Sequence, residues 1–475
     1  MPSWSPSLRA LVPAPLFALA PALLLALGLT GCAAFRSYDR ELTGTINYAL
    51  AGNVDGAIKT LDSNNPVSDR DLLYYLELGM LQRLGNRYPD SQKTWMAANT
   101  RIQIQDPLDR VANLARSGSS YLLNDKLRTY EGYDYEKVML LTYIALNDLA
   151  LGDYENARVA IKQTHELEAV IAESRAKQLA DVQDEAKKRG ARTSFKELNG
   201  YPVQSIDNPE VNALMNSYQS ALSHYLAGFI YEALGEVSLA APGYRLANEL
   251  HPGVPLLEQA LAGLEQRLHG PDDGKVDVLF IVASGTAPAI RSQQFNLPVL
   301  SGYRWVLVPI SFPVIAPSAW APHPTALAVD EAGNVPLAAI TSVDLMARRR
   351  LKDDMPSIML RSSIRAAASA VAQVQTQRHA DRGNNAAGLA SMIVTLGSVL
   401  MNSADDRTWR TLPSDISIAR TRLPAGVHSV TIQTPQGPRS ARVDIKGRHA
   451  VIDFWLLGNQ LYGYHPATQT GEAAR

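Results

Sequence analysis

Few residues in this 475-residue chain are spaced to do chemistry. The nine histidines stand at 165, 224, 251, 269, 323, 379, 428, 449 and 465, and no neighbours are closer than sixteen residues. A His-Glu-x-x-His site needs two imidazoles on one turn of helix, so that class is excluded. Ser284 ends an apolar run in "VASGTAP" but lacks the flanking glycines of a nucleophile elbow. "DDGKVD" lacks the upstream glycine and the following Ser or Thr of a phosphate-binding loop. Asp272-Asp273 and Asp353-Asp354 read as turn and helix-surface residues. A glycosidase carboxylate pair is distant in sequence and stays open. The expectation is no catalytic residue, no metal and no cofactor, with Ser284 the one serine to test.

The remaining reactive group is the single cysteine, Cys32 in "LGLTGCAAF". Arg9 is the only charge in the first 35 residues, and Leu, Ala, Val and Phe dominate 10–28. A short basic region, an apolar stretch and small residues describe a secretory signal peptide. A transmembrane helix is the alternative, weakened by Pro13, Pro15 and Pro21. Leu29-Thr30-Gly31-Cys32 resembles the bacterial lipobox. That resemblance implies cleavage after residue 31 and a diacylglyceryl thioether on Cys32, with palmitate-type acyl chains holding the protein on a membrane. Ala33 after the cysteine implies the outer membrane, periplasmic side. An exported chain whose only thiol is acylated has no disulfide, so packing alone must stabilise it. The formal net charge of −1 gives no footprint for nucleic acid.

Residues 32–270 read as a helical-repeat array. "LGDYENARVAIKQT" places Gly152, Tyr154, Ala157, Ile161 and Thr164 in a relation repeated by Gly235, Ala240, Tyr244 and Ala247, then Pro252. Gly85, Tyr88, Ser91, Trp95 and Ala98 repeat it with a turn one residue longer, and Gly52, Ala57 and Leu61 give a fourth match. The order is a glycine turn, a small residue, a large apolar residue four later and a small residue three beyond. It fits two closely packed antiparallel helices and resembles the tetratricopeptide repeat. A third repeat, near 105–128, is degenerate. Residues 165–205 begin as a charge-laced helix that should project into solvent, followed by a loop through Gly200 and Pro202. The resemblance implies a concave face that binds a partner segment.

"HGPDDGK" (269–275) marks a boundary, and the chain beyond it reads as a smaller mixed α+β domain. "KVDVLFIVAS" is a buried strand, and "RWVLVPISFPVI" is an edge or bulged one because of Pro309 and Pro313. A strand, a Gly-Asn turn and a short strand occupy 324–341. Helices follow over about 342–377, bent before Pro356, and 385–403. Segment 271–404 thus holds strands and a helix pair. Segment 405–475 is a β-rich module in which "LPAG" and alternating Val430, Ile432, Val443 and Ile445 resemble Pro-Glu-Gly-Ala-type surface-layer modules. Trp409 and Arg410 in "DDRTWRTLP" suit either a partner interface or a cluster that closes the domain.

Lipobox, repeats and C-terminal motif together resemble a family of bacterial repeat-containing outer-membrane lipoproteins. That implies a non-enzymatic scaffold with protein partners in the cell envelope, around peptidoglycan or outer-membrane assembly. The alternative is an envelope enzyme or glycan-binding protein with its groove in the 276–345 sheet. Polar side chains converging near Ser284 would favour it, and a glycan contact stays open.

Overall fold

The computed structural model describes residues 37–66, 70–104, 126, 128–191, 193–269, 273–301, 304–316, 323–380 and 403–463. Leu29, Thr30, Gly31 and Cys32, most of the degenerate third repeat and the helix expected at 385–403, save its last residue, lie outside them.

A helical half precedes a mixed-sheet half. Four helical hairpins form the first: α1 (Tyr38–Leu50) with α2 (Val54–Asn64), α3 (Leu72–Leu84) with α4 (Tyr88–Ile104), α5 (Asp134–Ala150) with α6 (Tyr154–Arg189), and, after short α7 (Pro209–Ala213), α8 (Ala221–Ala233) with α9 (Val237–Leu250). Helices α10 (Pro255–Ala262) and α11 (Leu264–His269) close this half.

Each hairpin turns through three residues, and the middle one is left-handed: Gly52 at φ 82°, Asn86 at 57°, Gly152 at 79° and Gly235 at 76°. Gly85 is not the counterpart of the other glycines. It is an ordinary helix C-cap at φ −81°, one position early, so the second hairpin has no longer turn than the rest. Asparagine tolerates the left-handed region through local hydrogen bonding, which is why a glycine-based register slips there. Counted from the left-handed residue, position +5 is Ala57, Ser91, Ala157 or Ala240, and position +9 is Leu61, Trp95, Ile161 or Tyr244. All eight are at most 1 % exposed. Tight packing explains the size rule: a Cβ on Gly228 would lie 2.6 Å from the Tyr244 ring, and one on Gly79 would overlap Trp95.

Helix α6 runs well beyond its hairpin, exposed over most of 172–185, as the charge pattern predicts. Glycine 190, at φ 59°, ends it. The loop beyond packs Phe195, Leu198 and Tyr201 into the main core.

The second half begins with β1 (Lys275–Ser284), then β2 (Ile290–Ser301), β3 (Arg304–Ile315), β4 (Ala326–Val329), β5 (Gly333–Pro336), β6 (Ala338–Ser342), α12 (Val343–Ala380), β7 (Asp415–Pro424), β8 (Gly426–Thr434), β9 (Gly437–Ile445), β10 (His449–Leu457) and β11 (Gln460–Gly463). Pro356 sits inside α12 and does not end it. Strand β1 lies between β10, parallel, and β7, antiparallel, in a sheet ordered β11-β10-β1-β7-β6. A four-stranded antiparallel sheet, β5-β4-β8-β9, packs on one face of it through Val278, Phe280, Val430, Ile432, Val443 and Ile445. Leu279, Ile281, Ile416, Ile418 and Trp455 on the other face join the core of the helical hairpins. Burial on both faces explains the unbroken apolar run of β1.

Two pairings were hidden in the sequence. The strands expected as a C-terminal module interleave with the preceding segment, because β8 pairs with β4 and β1 is flanked by β7 and β10. Strand β2 was not expected at all: it forms a separate two-stranded sheet with β3, packed on α12.

Candidate functional site

In the second, third and fourth hairpins the first helix faces inward and the second packs outside it, whereas α1 buries only Leu42, Thr45 and Ala49. Helices α3, α5 and α8 are buried along most of their length, whereas α2, α4 and α9 bury a narrower set of residues. A helix apolar on every side must be covered on every side. Here the second cover is the chain's own C-terminal half.

The closest fit is segment 405–412. Trp409 is fully buried, edge-on to Trp95 with ring centroids 6.0 Å apart, and its indole N–H donates to Thr411 Oγ1 at 3.0 Å. Two buried carboxylates then take three consecutive backbone amides. Glu136 accepts from the Trp409 N–H at 2.7 Å, and Glu77 accepts from Arg410 N–H at 2.7 Å and Thr411 N–H at 2.9 Å. Thr408 Oγ1 also donates to Glu136, at 2.9 Å, and Tyr38 OH to Glu77, at 3.2 Å. Buried N–H groups require such partners, so these acids satisfy a segment that forms neither helix nor strand and turns at Arg410 and Thr411. Burial pushes the Glu77 carboxyl up to about 7 although its amide donors pull it down. Burial likewise raises Glu136 against the Tyr130 hydroxyl and the amides. Arg410 adds an ion pair to Asp39 at 3.1 Å. Trp409 and Arg410 are therefore internal anchors that close the two halves on each other.

Further contacts extend along the inner face. Arg83, stacked over Tyr88, donates to Asp453 on β10 at 2.7 Å. The Tyr154 hydroxyl donates to the His449 carbonyl at 3.0 Å. Tyr462 OH reaches the Ala49 carbonyl, and Thr341 Oγ1 accepts from Leu222 N–H at 3.0 Å. Ala98 and Ala247, the last small residues of their repeats, are wholly buried in the same core. The face on which a partner segment was expected is filled from within the chain.

At the far end, Arg420 on β7 donates to both oxygens of Asp277 and to Glu232 Oε1 at 2.9 Å, while Arg267 also donates to Glu232. Burial pushes the Glu232 carboxyl up, but the two guanidiniums and Tyr244 outweigh it and hold it at about 2. Glu232, Asp277 and His449 offer ligand atoms within 4.8 Å of one another, a grouping of metal-site size. The guanidiniums already neutralise its carboxylates, and burial lowers the basicity of His449. A cleft of about 670 Å³ opens beside this cluster, between Gly253–Ala260 and the β5–β6 connection.

Ser284 lies at the end of β1, buried, with its hydroxyl 3.3 Å from His323 Nδ1. His323 Nε2 is 3.8 Å from Asp415 on neighbouring β7. Serine, imidazole and carboxylate thus converge, but the last separation exceeds a hydrogen bond, so the carboxylate does not orient the ring.

The acids that hold the inner face had a readable signal. Glu77 in "LLYYLELGMLQRL", where Arg83 is the other charge, and Glu232 in "ALSHYLAGFIYEALG" are charged residues set in largely apolar helices. Such a group must find a buried partner, although the sequence does not say which. No family model matches the chain, and no curated protein or solved structure matches it either.

Proposed function

We propose that the protein is a lipid-anchored, non-enzymatic scaffold of the bacterial cell envelope, held on the periplasmic side of the outer membrane through Cys32. It engages protein partners of peptidoglycan or outer-membrane assembly through its helical half. The hairpins are read as degenerate tetratricopeptide repeats, supported by the common register of left-handed turn, small residue and large residue.

The observation that carries the reading is how the hairpins distribute their surfaces. Their inner helices are consumed by the chain's own C-terminal half, so partner contact belongs to the outer helices. There Met96 on α4, Val159 and Leu179 on α6, and Leu239 on α9 are each close to half exposed. The projecting part of α6 adds an arm of mixed charge. The test is photocrosslinking in the native envelope from Met96, Leu179 and Leu239, with Trp409 as the inner control. Protein partners captured from the outer positions and not from position 409 support the scaffold. Capture only from residue 409, or from none, defeats it.

The convergence of Ser284, His323 and Asp415 favours a second reading, an envelope hydrolase. Labelling of the native envelope with a fluorophosphonate probe decides it: modification of Ser284 that is lost in His323→Ala supports an activated serine, and its absence rejects one.

A further inference from the structure

The cleft of about 670 Å³ beside the Arg420 cluster is of the size that holds small molecules. Val254 and Leu256, at the start of α10, supply apolar surface on one side, and Val335 and Leu337 supply it on the other. Between them the lining carries three guanidiniums, of Arg267, Arg420 and Arg422, against one carboxylate, of Asp277.

The counter-charges are placed so that the cleft presents donors. Glu232 is buried outside the lining and takes Arg267 and Arg420. Asp277 spends both carboxylate oxygens on Arg420. Arg422 pairs with Asp273 at 2.7 Å, and both of those side chains are close to half exposed. Such a pair in water holds its members weakly, so the Arg422 guanidinium can turn to a ligand.

Two further donors lack acceptors. At the start of α10, Leu257 and Glu258 N–H donate to the Val254 carbonyl, at 3.0 and 3.2 Å. Val254 offers no side-chain cap, and the Leu256 N–H ahead of them finds no acceptor among the described residues. A helix start left open in this way favours an anion. The second donor is Tyr225 on α8, 1 % exposed and packed edge-on to Tyr244 with ring centroids 5.1 Å apart. Its hydroxyl meets no partner in hydrogen-bond geometry. Arg420 lies near it, but directs its N–H groups to Asp277, Glu232 and Tyr244. Burial raises the Tyr225 phenol above its ordinary value despite that guanidinium, so the group is an O–H donor. A buried hydroxyl without an acceptor is costly, and a ligand that brings one removes the cost.

We propose that the cleft binds a small amphipathic carboxylate. Its head group is held by Tyr225 and Arg422 beside the open end of α10, and its apolar body lies between Val254 and Leu256 and the β5–β6 connection. A single negative charge suits a site whose other two guanidiniums are already compensated, and a planar carboxylate matches the guanidinium fork. The proposal depends neither on the Cys32 anchor nor on the scaffold reading.

The test is calorimetric titration of the mature chain carrying Cys32→Ser with sodium octanoate, decanoate and dodecanoate, each below its micelle concentration. One saturable site per chain is expected, tightening by up to about fourfold for each added methylene. Octan-1-ol and octylammonium, which keep the chain and lose the anion, should bind about tenfold more weakly than octanoate or worse. Arg422→Gln should weaken octanoate by about tenfold with an unchanged urea midpoint, which shows the fold intact. Tyr225→Phe should weaken it by about fivefold while the midpoint of the free chain stays level or rises, because the hydroxyl holds nothing there. No saturable binding, equal binding of octan-1-ol, or binding that both substitutions leave unchanged overturns the proposal. A lowered midpoint in Tyr225→Phe also overturns it, since the hydroxyl would then have its partner within the chain.

Discussion

Replacing Trp409 by alanine separates an internal anchor from a partner-binding residue. The indole is fully buried against Trp95 and donates to Thr411. Truncating a buried tryptophan costs about 3–5 kcal/mol through lost transfer energy and the cavity left behind. The edge-on ring pair contributes roughly 0.5–1.5 kcal/mol of specific interaction. About 4 kcal/mol is therefore expected in total. With a urea slope of about 3 kcal/mol per M, the unfolding midpoint falls by about 1.3 M. The assay is circular dichroism of the Cys32→Ser chain, since fluorescence would lose one of its own reporters. Trp305→Ala is the matched control: that ring is 71 % exposed, and its removal should move the midpoint by less than about 0.2 M. A Trp409→Ala midpoint indistinguishable from the parent would refute the internal-anchor reasoning, above all if envelope partners were lost at the same time.

Other perturbations have calculable directions. Glu77 has a carboxyl pKa of about 7 in the fold against an ordinary 4.5, so the fold favours its protonated form. Its contribution is present below pH 4.5 and is lost as pH rises through 7, by about 3 kcal/mol. The stability advantage of the parent over Glu77→Gln should shrink by that amount between these limits, as urea midpoints at pH 5 and pH 8 would show; a constant difference contradicts the burial argument. Gly228→Ala places a methyl 2.6 Å from the Tyr244 ring and should destabilise by about 1–3 kcal/mol in the same assay. Asn86→Ala forces a residue without a local hydrogen bond to φ 57° and should cost about 1 kcal/mol, whereas Asn86→Gly should not destabilise. Cys32→Ser should move the protein from the membrane pellet to the soluble periplasmic fraction, and unchanged fractionation would reject the anchor.

The legible parts of the sequence were local. Small and large residues on the second helices fixed the hairpins, and the apolar run of β1 announced a strand buried on both faces. The charge pattern after His165 announced the long exposed part of α6. What stayed hidden depends on partners distant in the chain. Strand β2 reads as "IRSQQFNLPVLS", too polar and too broken by Pro298 to declare itself, because only a few residues of its inner side meet α12 and the Tyr201 loop. The destination of Trp409 was ambiguous for a related reason. A tryptophan flanked by arginines suits an interface, and only the distant acids Glu77 and Glu136 show that the interface is internal. Histidine 323 could not be joined to Ser284, since the two lie on separate strand ends brought together by the β4–β8 and β1–β7 pairings.

The central structural claim is that segment 405–412 closes the inner face of the helical half from within. Hydrogen exchange at the amides of Trp409, Arg410 and Thr411 tests it most directly, because those N–H groups bond to Glu136 and Glu77 alone. The account predicts protection approaching that of the β1 core and its loss in Glu77→Ala at residues 410 and 411. Rapid exchange of all three amides in the parent chain would mean that the face stands open, and would contradict it.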